Sequence, residues 1–370
     1  MQELLVAVGA ARYLDHDYVL ELDDLHPASH AALQIRITLD DQGLISTADP
    51  QVGLLHRSAE KLFEARDYRQ IMMLANRHDW LSAFSSELGV ALTVEAAMGI
   101  YPPPRATWTR TLLAEMNRVS ASLLLLGAPT RDLQLLQLRE RFLTLQELAS
   151  GGRVHPMINR IGGLAHPLTE QWITELMTVI DELNSQLPAI TAATEEATAP
   201  FAGHAVLSKA DAIAYGVTGP VGRASGLDLD LRRDDPYLSY GELADLLIVP
   251  TSAAGDLPAR YRMLLDQIPV SLNLMSACTD HVLGVGEINV PLPKVVKVPE
   301  STSYGQVEGP LGVSGYLLVS IGAKSPWRLK LRTPSLSNVQ AMAIAVSGLP
   351  LADLGPALMS FFFVVGDIDR

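Results

Sequence analysis

Asn76, Arg77, His78, Asp79 and Trp80 place an amide, a guanidinium, an imidazole, a carboxylate and an indole on consecutive positions, between Met72 and Met73 on one side and Leu81 and Phe84 on the other. Polar groups packed this densely inside an apolar frame can bind or orient a ligand, and they form the strongest site signal in the chain. Other titratable residues lie elsewhere. His26 and His30 bracket a short Pro-containing loop, and imidazole is the side chain whose ordinary pKa lies near neutrality, so a loop histidine beside a carboxylate can deliver a proton. It can equally do no more than hydrogen-bond its own loop. Asp132 stands between two helical stretches, where an aspartate is also a frequent N-cap, and His155 follows Gly151-Gly152-Arg153-Val154.

These groups need elements to hold them. Leu55, Ala59, Leu62 and Phe63, with Arg57, Glu60, Lys61 and Glu64 between them, predict an amphipathic helix leading into the polar cluster. Residues 18–50 read as strands around turns, since Ile35, Ile37 and Leu39 alternate with Arg36 and Thr38 before Asp40-Asp41-Gln42-Gly43. Further helices are expected over 86–99, closed by Gly99, over Arg105 to Leu126, capped by Gly127, over Leu133 to Ala149 and over 166–186. Pro188 to Gly203 is rich in Ala and Thr with little periodicity and reads as a linker. Helices near Lys209–Tyr215 and Arg260–Ser276 come next, with a Gly- and Pro-dense loop between them whose charges can lock its path. Near the C-terminus Trp327, Leu329 and Leu331 alternate with Arg328, Lys330 and Arg332, which predicts a hairpin with one basic face. The expected organisation is a β-hairpin region over 1–50, a helical core over 51–187, a linker-like segment over 188–204 and a mixed region over 205–370 packed on the same core.

Composition narrows the function. The 370 residues carry a net charge of −13, which excludes nucleic acid or an anionic lipid surface as the main partner, because phosphate neutralisation needs clustered Lys and Arg. Hydrophobic residues make up 48% and charged ones 19%, and mean hydropathy is +0.19. That oiliness fits either broad surfaces buried against other subunits or a large Leu- and Ala-rich core. Cys278 is the only cysteine, so an internal disulfide, a CxxC zinc site and a thiolate-held cluster within this chain are excluded, in keeping with a reducing, cytoplasmic setting. The first residues lack the pattern of a secretory signal, and no run reaches the ~18 apolar residues of a membrane span.

Several motifs together carry a resemblance. Gly53-Leu54-Leu55-His56-Arg57-Ser58-Ala59-Glu60-Lys61 and Arg77-His78-Asp79-Trp80 are two of them; His26-Pro27-Ala28-Ser29-His30 precedes these, and Arg139-Glu140-Arg141 and Arg160-Ile161-Gly162-Gly163 come after. They are followed by Gly216-Val217-Thr218-Gly219-Pro220, Arg223-Ala224-Ser225-Gly226, Glu308-Gly309-Pro310 and the ending Val365-Gly366-Asp367-Ile368-Asp369-Arg370. This series resembles the hydrogenase-like, quinone-site subunit family of the proton-pumping NADH:quinone oxidoreductase, respiratory complex I, from about His26 to Arg370, with a departure near 188–203.

The resemblance implies a mainly α fold with α+β character: a long-helix bundle of the nickel-iron hydrogenase large-subunit type, its metal site lost, with antiparallel strands from both chain ends at one side. Asp79 and Ser82 stand where such hydrogenases keep their first cysteine pair. It further implies a quinone cavity with His30 and Asp132 as proton-donor pair and Trp80 against the headgroup, while Arg77, Asp79 and His155 lie near an iron-sulfur cluster held by a neighbouring subunit. The chain alone would bind no cofactor or metal; quinone would be the substrate. Its expected partners are the cluster-bearing subunit and a membrane-arm subunit, which would hold it peripherally on the cytoplasmic face of the membrane. No glycine-rich dinucleotide loop follows a strand, so neither NADH nor flavin is expected to bind here. Trp80 replaces the family's usual tyrosine; indole can stack on a quinone and donate one N–H, but is no proton source. Ala31 and Ser122 replace a glycine and a histidine. A non-catalytic structural paralogue is therefore the alternative, whereas a Ser-His-Asp hydrolase lacks any nucleophile-elbow glycine pattern.

Overall fold

The computed structural model describes residues 2–8, 18–20, 33–283 and 285–370. His26, His30 and Ala31, with the loop that carries them, lie outside the described residues. Close to half of the chain is helical, with small, mostly antiparallel sheets, so the mixed helical and strand character expected from the sequence is present.

Strands β1 (Gln2–Val8), β2 (Tyr18–Leu20), β3 (Leu33–Leu39) and β4 (Ile45–Gln51) form one sheet in the order β2-β1-β3-β4. The β3 alternation buries Leu33, Ile35, Ile37 and Leu39, and the Asp40 carboxylate accepts from Gln42 N and Leu44 N to close the predicted turn. β1 was not foreseen as a strand; it pairs antiparallel with β3 and parallel with β2.

After β4 the chain forms α1 (Ala59–Glu64) and α2 (Ile71–Ala75). The helix expected from Leu55 onward thus starts four residues late. The Asp369 carboxylate takes the N–H groups of Gly53 and Leu55, each at 2.7 Å, and so holds that stretch in a non-helical path. On α1, Glu60 accepts from Arg328, Arg370 and Leu331 N and faces Lys330.

The core is built on α3 (Ala83–Met98), α4 (Pro104–Thr130) and α5 (Leu133–Ser150), followed by the short pair β5 (Asn159–Arg160) and β6 (Gly163–Leu164), then α6 (Glu170–Thr198). α3 ends at Gly99 with φ 65°, as its sequence predicts. α4 is buried nearly all round and lies among α3, α5 and α6. It runs past Gly127, the expected cap, to end at Arg131 with φ 51°, and Thr130 Oγ1 donates back to Leu126 O near Pro129.

The segment read as a linker, 188–204, is a correction: most of it continues α6, through Pro188 to Thr198, and ends in a 3-10 turn. Its Ala content favours helix, Ile190, Thr194 and Thr198 fall on one buried stripe, and the two threonine hydroxyls donate to carbonyls one turn back. The aliphatic period is thin there, which is why the stripe is hard to see.

Beyond it come α7 (Lys209–Ala214), α8 (Gly219–Ala224), α9 (Leu231–Asp234) and α10 (Leu257–Val282), which packs along α4 and buries Cys278. The expected C-terminal hairpin is a three-stranded meander, β7 (Ser301–Gly309), β8 (Gly312–Ser320) and β9 (Arg328–Arg332), resting on α3. Leu329 and Leu331 are buried and Arg328, Lys330 and Arg332 point away, but Trp327 precedes the strand and is exposed. At Gly89 the β8 side chain Tyr316 lies where a Cβ would be, so α3 and this sheet meet at contact distance. α11 (Pro334–Ala345), α12 (Leu354–Met359) and α13 (Val365–Ile368) complete the chain. The described strands of the two chain ends do not share a sheet; β4 packs on α11, and Ile45 bonds the backbone of Gly348 and Leu349 next to the Leu44–Pro350 bridge.

Candidate functional site

Residues 76–80 join α2 to α3, and the turn sends its side chains to opposite sides. Arg77 is exposed, His78 and Asp79 are buried, and Trp80 is half-buried.

On the outer side, Arg77 donates to Asn76 Oδ1 and approaches Met157 Sδ at 3.5 Å. The His155 ring bonds the Asn76 backbone within electrostatic reach of the same guanidinium; burial first, and then the Arg77 charge, lower its pKa. Residues far apart in sequence are thus brought together, and the group that does so is Glu87. From the buried face of α3 its carboxylate accepts from Asn76 Nδ2, Met157 N at 2.5 Å, Asn159 N at 3.2 Å and Asn159 Nδ2 at 3.3 Å. Burial raises the Glu87 pKa against the pull of these bonds. Sequence reasoning missed Glu87. The signal was there: a carboxylate within the apolar run of α3 with no neighbouring cation in the helix.

Beside this pair is a cleft of about 420 Å³ floored by Met72, Met73, Met157 and Ile161, with Arg69 and Arg160 among its lining residues.

On the inner side, His78 Nδ1 donates to Asp367 Oδ1 at 3.0 Å, and Asp367 Oδ2 accepts from Ser335 N. Asp79 Oδ1 accepts from Leu81 N and Ser82 N. Burial, then the nearby Asp367 charge, pushes the Asp79 carboxyl up to about 7. Asp367 entered the sequence reading only as part of the C-terminal motif, with no site role; it arrives with α13 from the far end of the chain. Gly366 seats that helix: a Cβ there would lie 2.5 Å from both His78 O and Trp80 Cζ3. Gly366→Ala should therefore destabilise the protein by about 1–3 kcal/mol through overpacking and tilt the indole, visible as a changed Trp80 fluorescence and a lowered Tm.

Asp132 is an N-cap, accepting from Gln134 N at 2.8 Å at the start of α5. It lies beside α6 residues Glu182 and Gln186. None of its described contacts is with Arg77, Trp80 or His155.

Comparison with known proteins places the chain. The family described as "Respiratory-chain NADH dehydrogenase, 49 Kd subunit" matches residues 126–297 and 290–370. The second D-type subunit of the NADH-quinone oxidoreductase of Salinispora tropica is 50% identical over 382 residues, covering 100% of this chain and 98% of that protein. The chain belongs to the D-type subunit family of NADH-quinone oxidoreductase. More distant members keep the full length: the D-type subunit of Clostridium beijerinckii is 32% identical, covering 96% of this chain and 97% of its own. Among solved structures, a chain of the membrane-bound sulfane sulfur reductase, described as an archaeal respiratory membrane complex, superposes with a TM-score of 0.86 at 29% identity. That match covers 91% of this chain and 94% of the other. Members of this family are subunits of an oxidoreductase complex, which makes the chain a subunit of an enzyme complex. Among the described residues no helix is long and apolar enough to cross a membrane.

Proposed function

We propose that this chain lines the quinone cavity of a complex I-type oxidoreductase and supports electron transfer to quinone coupled to proton translocation. The observation that carries the reading is the Arg77–His155 pair fixed by Glu87, close along the chain to Trp80, in a member of this family. A guanidinium and a titratable imidazole side by side favour the reduced, more negative state of a cluster placed against them and couple its reduction to proton uptake. Arg77 and His155 on the outer side, with Asp79 buried behind them, would stand near an iron-sulfur cluster of an adjacent subunit, and the Met-lined cleft beside Arg77 is apolar enough to receive that partner. Trp80 would stack on the quinone headgroup, with His30 and Asp132 as the proton-donor pair. A membrane-arm subunit would hold the assembly on the cytoplasmic face of the membrane. The hydrogenase-type ancestry fits the donor set, since a carboxylate and a hydroxyl at Asp79 and Ser82 replace the thiolates a nickel-iron centre requires.

The test begins with the tagged chain purified from its native membranes in mild detergent. Cysteine-rich partners by mass spectrometry and a reducible cluster by electron paramagnetic resonance are the expected result. His30→Ala in the intact complex should then abolish most quinone reduction. Unchanged activity in that variant would favour the alternative, a structural paralogue that keeps the interfaces without the chemistry.

A further inference from the structure

Behind Trp80 the chain gathers polar atoms that its packing does not use. His78 Nε2 is buried without a hydrogen-bond partner, and beside it Asp79 Oδ2 and the hydroxyls of Ser82, Ser86 and Tyr316 are buried with at most loose contacts to one another, each parent residue being at most 3% exposed. They belong to one neighbourhood: Asp79 lies within electrostatic reach of His78 and Asp367, and Tyr316 within reach of Ser86, Asp79 and Asp367. Poorly paired buried polar groups are costly and rare, so several in one place mark a site kept for a purpose other than packing. The donors are not arranged as metal ligands, because among the described residues no three of His, Cys, Asp and Glu converge in that way.

We propose that Asp79, with His78 and Asp367, forms a buried proton-exchange site behind Trp80 that gives up its proton when negative charge develops on the far side of the indole. The geometry supplies the parts. Two carboxylates and an imidazole share the space, and hydroxyls from α3 and β8 can pass hydrogen bonds between them. Other elements hold the walls: Ser335 N on Asp367, Thr333 Oγ1 on the Asp367 carbonyl, Asn117 Nδ2 on the Leu81 carbonyl, and the Arg332 cation facing Asp367 from β9. Gly366 touches both the His78 carbonyl and the indole, which puts the site one residue from the ring. Because indole has no proton to give at neutral pH, a donor behind it serves where the ring cannot.

The role as donor rests on the quinone reading above. Two electrons from the partner's cluster, which is oxidised one electron at a time, and two protons convert quinone to quinol. Asp79 supplies one proton, becoming a carboxylate that solvent later reprotonates, and the His30–Asp132 pair supplies the other.

Infrared spectroscopy of the assembled complex tests the site without quinone turnover. A protonated-carboxyl C=O band should titrate near pH 7, given the burial of Asp79, and vanish in Asp79→Asn. Removing the imidazole in His78→Gln should move that titration to higher pH, and removing the second carboxylate in Asp367→Asn should move it to lower pH. In turnover, Asp79→Asn should slow quinone reduction about 100-fold and flatten its pH profile. Absence of the band in the native complex, or shifts of equal sign in the two neighbouring variants, would overturn the site, as would a native rate and pH profile in Asp79→Asn overturn its role as donor. A native complex that shows the band yet reduces no quinone would sink the quinone reading and leave the proton site standing.

Discussion

Arg232→Met should cost about 3–5 kcal/mol of stability, the penalty of stranding buried charges when one partner is taken away. Arg232 is fully buried and bonds both oxygens of Asp230, at 2.9 and 2.7 Å, and both oxygens of Glu115, at 3.2 and 3.0 Å. Around it lie Arg118 on Glu115 and Arg223 between Asp230 and Glu308, with Tyr240 and Ser271 donating to Glu115. Three cations thus face three anions, and removing one guanidinium leaves excess negative charge with no water to receive it. Burial would raise the Glu115 pKa, but Arg232 and Arg118 outweigh it and hold the group at about 2. The sign follows for the native protein: its stabilisation is complete above the ordinary carboxylate pKa and is lost only as pH falls toward 2. Denaturant unfolding of the purified chain measures it. The adjacent Arg233→Met is the control, since its bonds to Asp228 and Asp234 are at the surface and should be worth less than about 1 kcal/mol.

Glu87→Ala is the second large effect expected. It strips the acceptor from four donors at once, and one unsatisfied buried donor alone costs about 1–3 kcal/mol, so a loss of about 3 kcal/mol or more should appear in thermal unfolding. Glu87→Gln separates structure from function. It keeps the volume but turns two acceptor oxygens into one, so the loop 155–159 should release from Asn76 while the core survives. Under the function proposed above, the partner's cluster in the assembled complex should then lose part of the pH dependence of its reduction potential assigned there to His155. A native potential and slope in Glu87→Gln would show that Arg77 and His155 hold their places without it.

How far the sequence reached depended on the kind of information each feature uses. α3 and α5 were legible because capping and apolar period are local, and so was the β3 turn, where Asp40 closes its own loop. Local rules failed where distant residues intervene. Asp369 suppresses the start of α1 from the other end of the chain, and the Ala- and Thr-rich half of α6 is helical because Ile190, Thr194 and Thr198 have a core to face. The site shows the same division. The polar run 76–80 stood out by density, and Arg77 and His155 were linked through a family likeness. The clamp Glu87 and the inner partner Asp367 were not, because each acts across a span that no spacing rule covers.

The mixed ion network has a consequence for how this chain comes into being. Its members sit at positions 115, 118, 223, 230, 232 and 308, so the last carboxylate emerges from the ribosome almost two hundred residues after the first. Until then Arg223 lacks one of its two anions, and the interior around α4 and α10 cannot close without an imbalance of charge. The helices before it can form as they emerge, but the network itself is complete only once the β7 strand has been made. Glu308 is the last of the six network members to be synthesised.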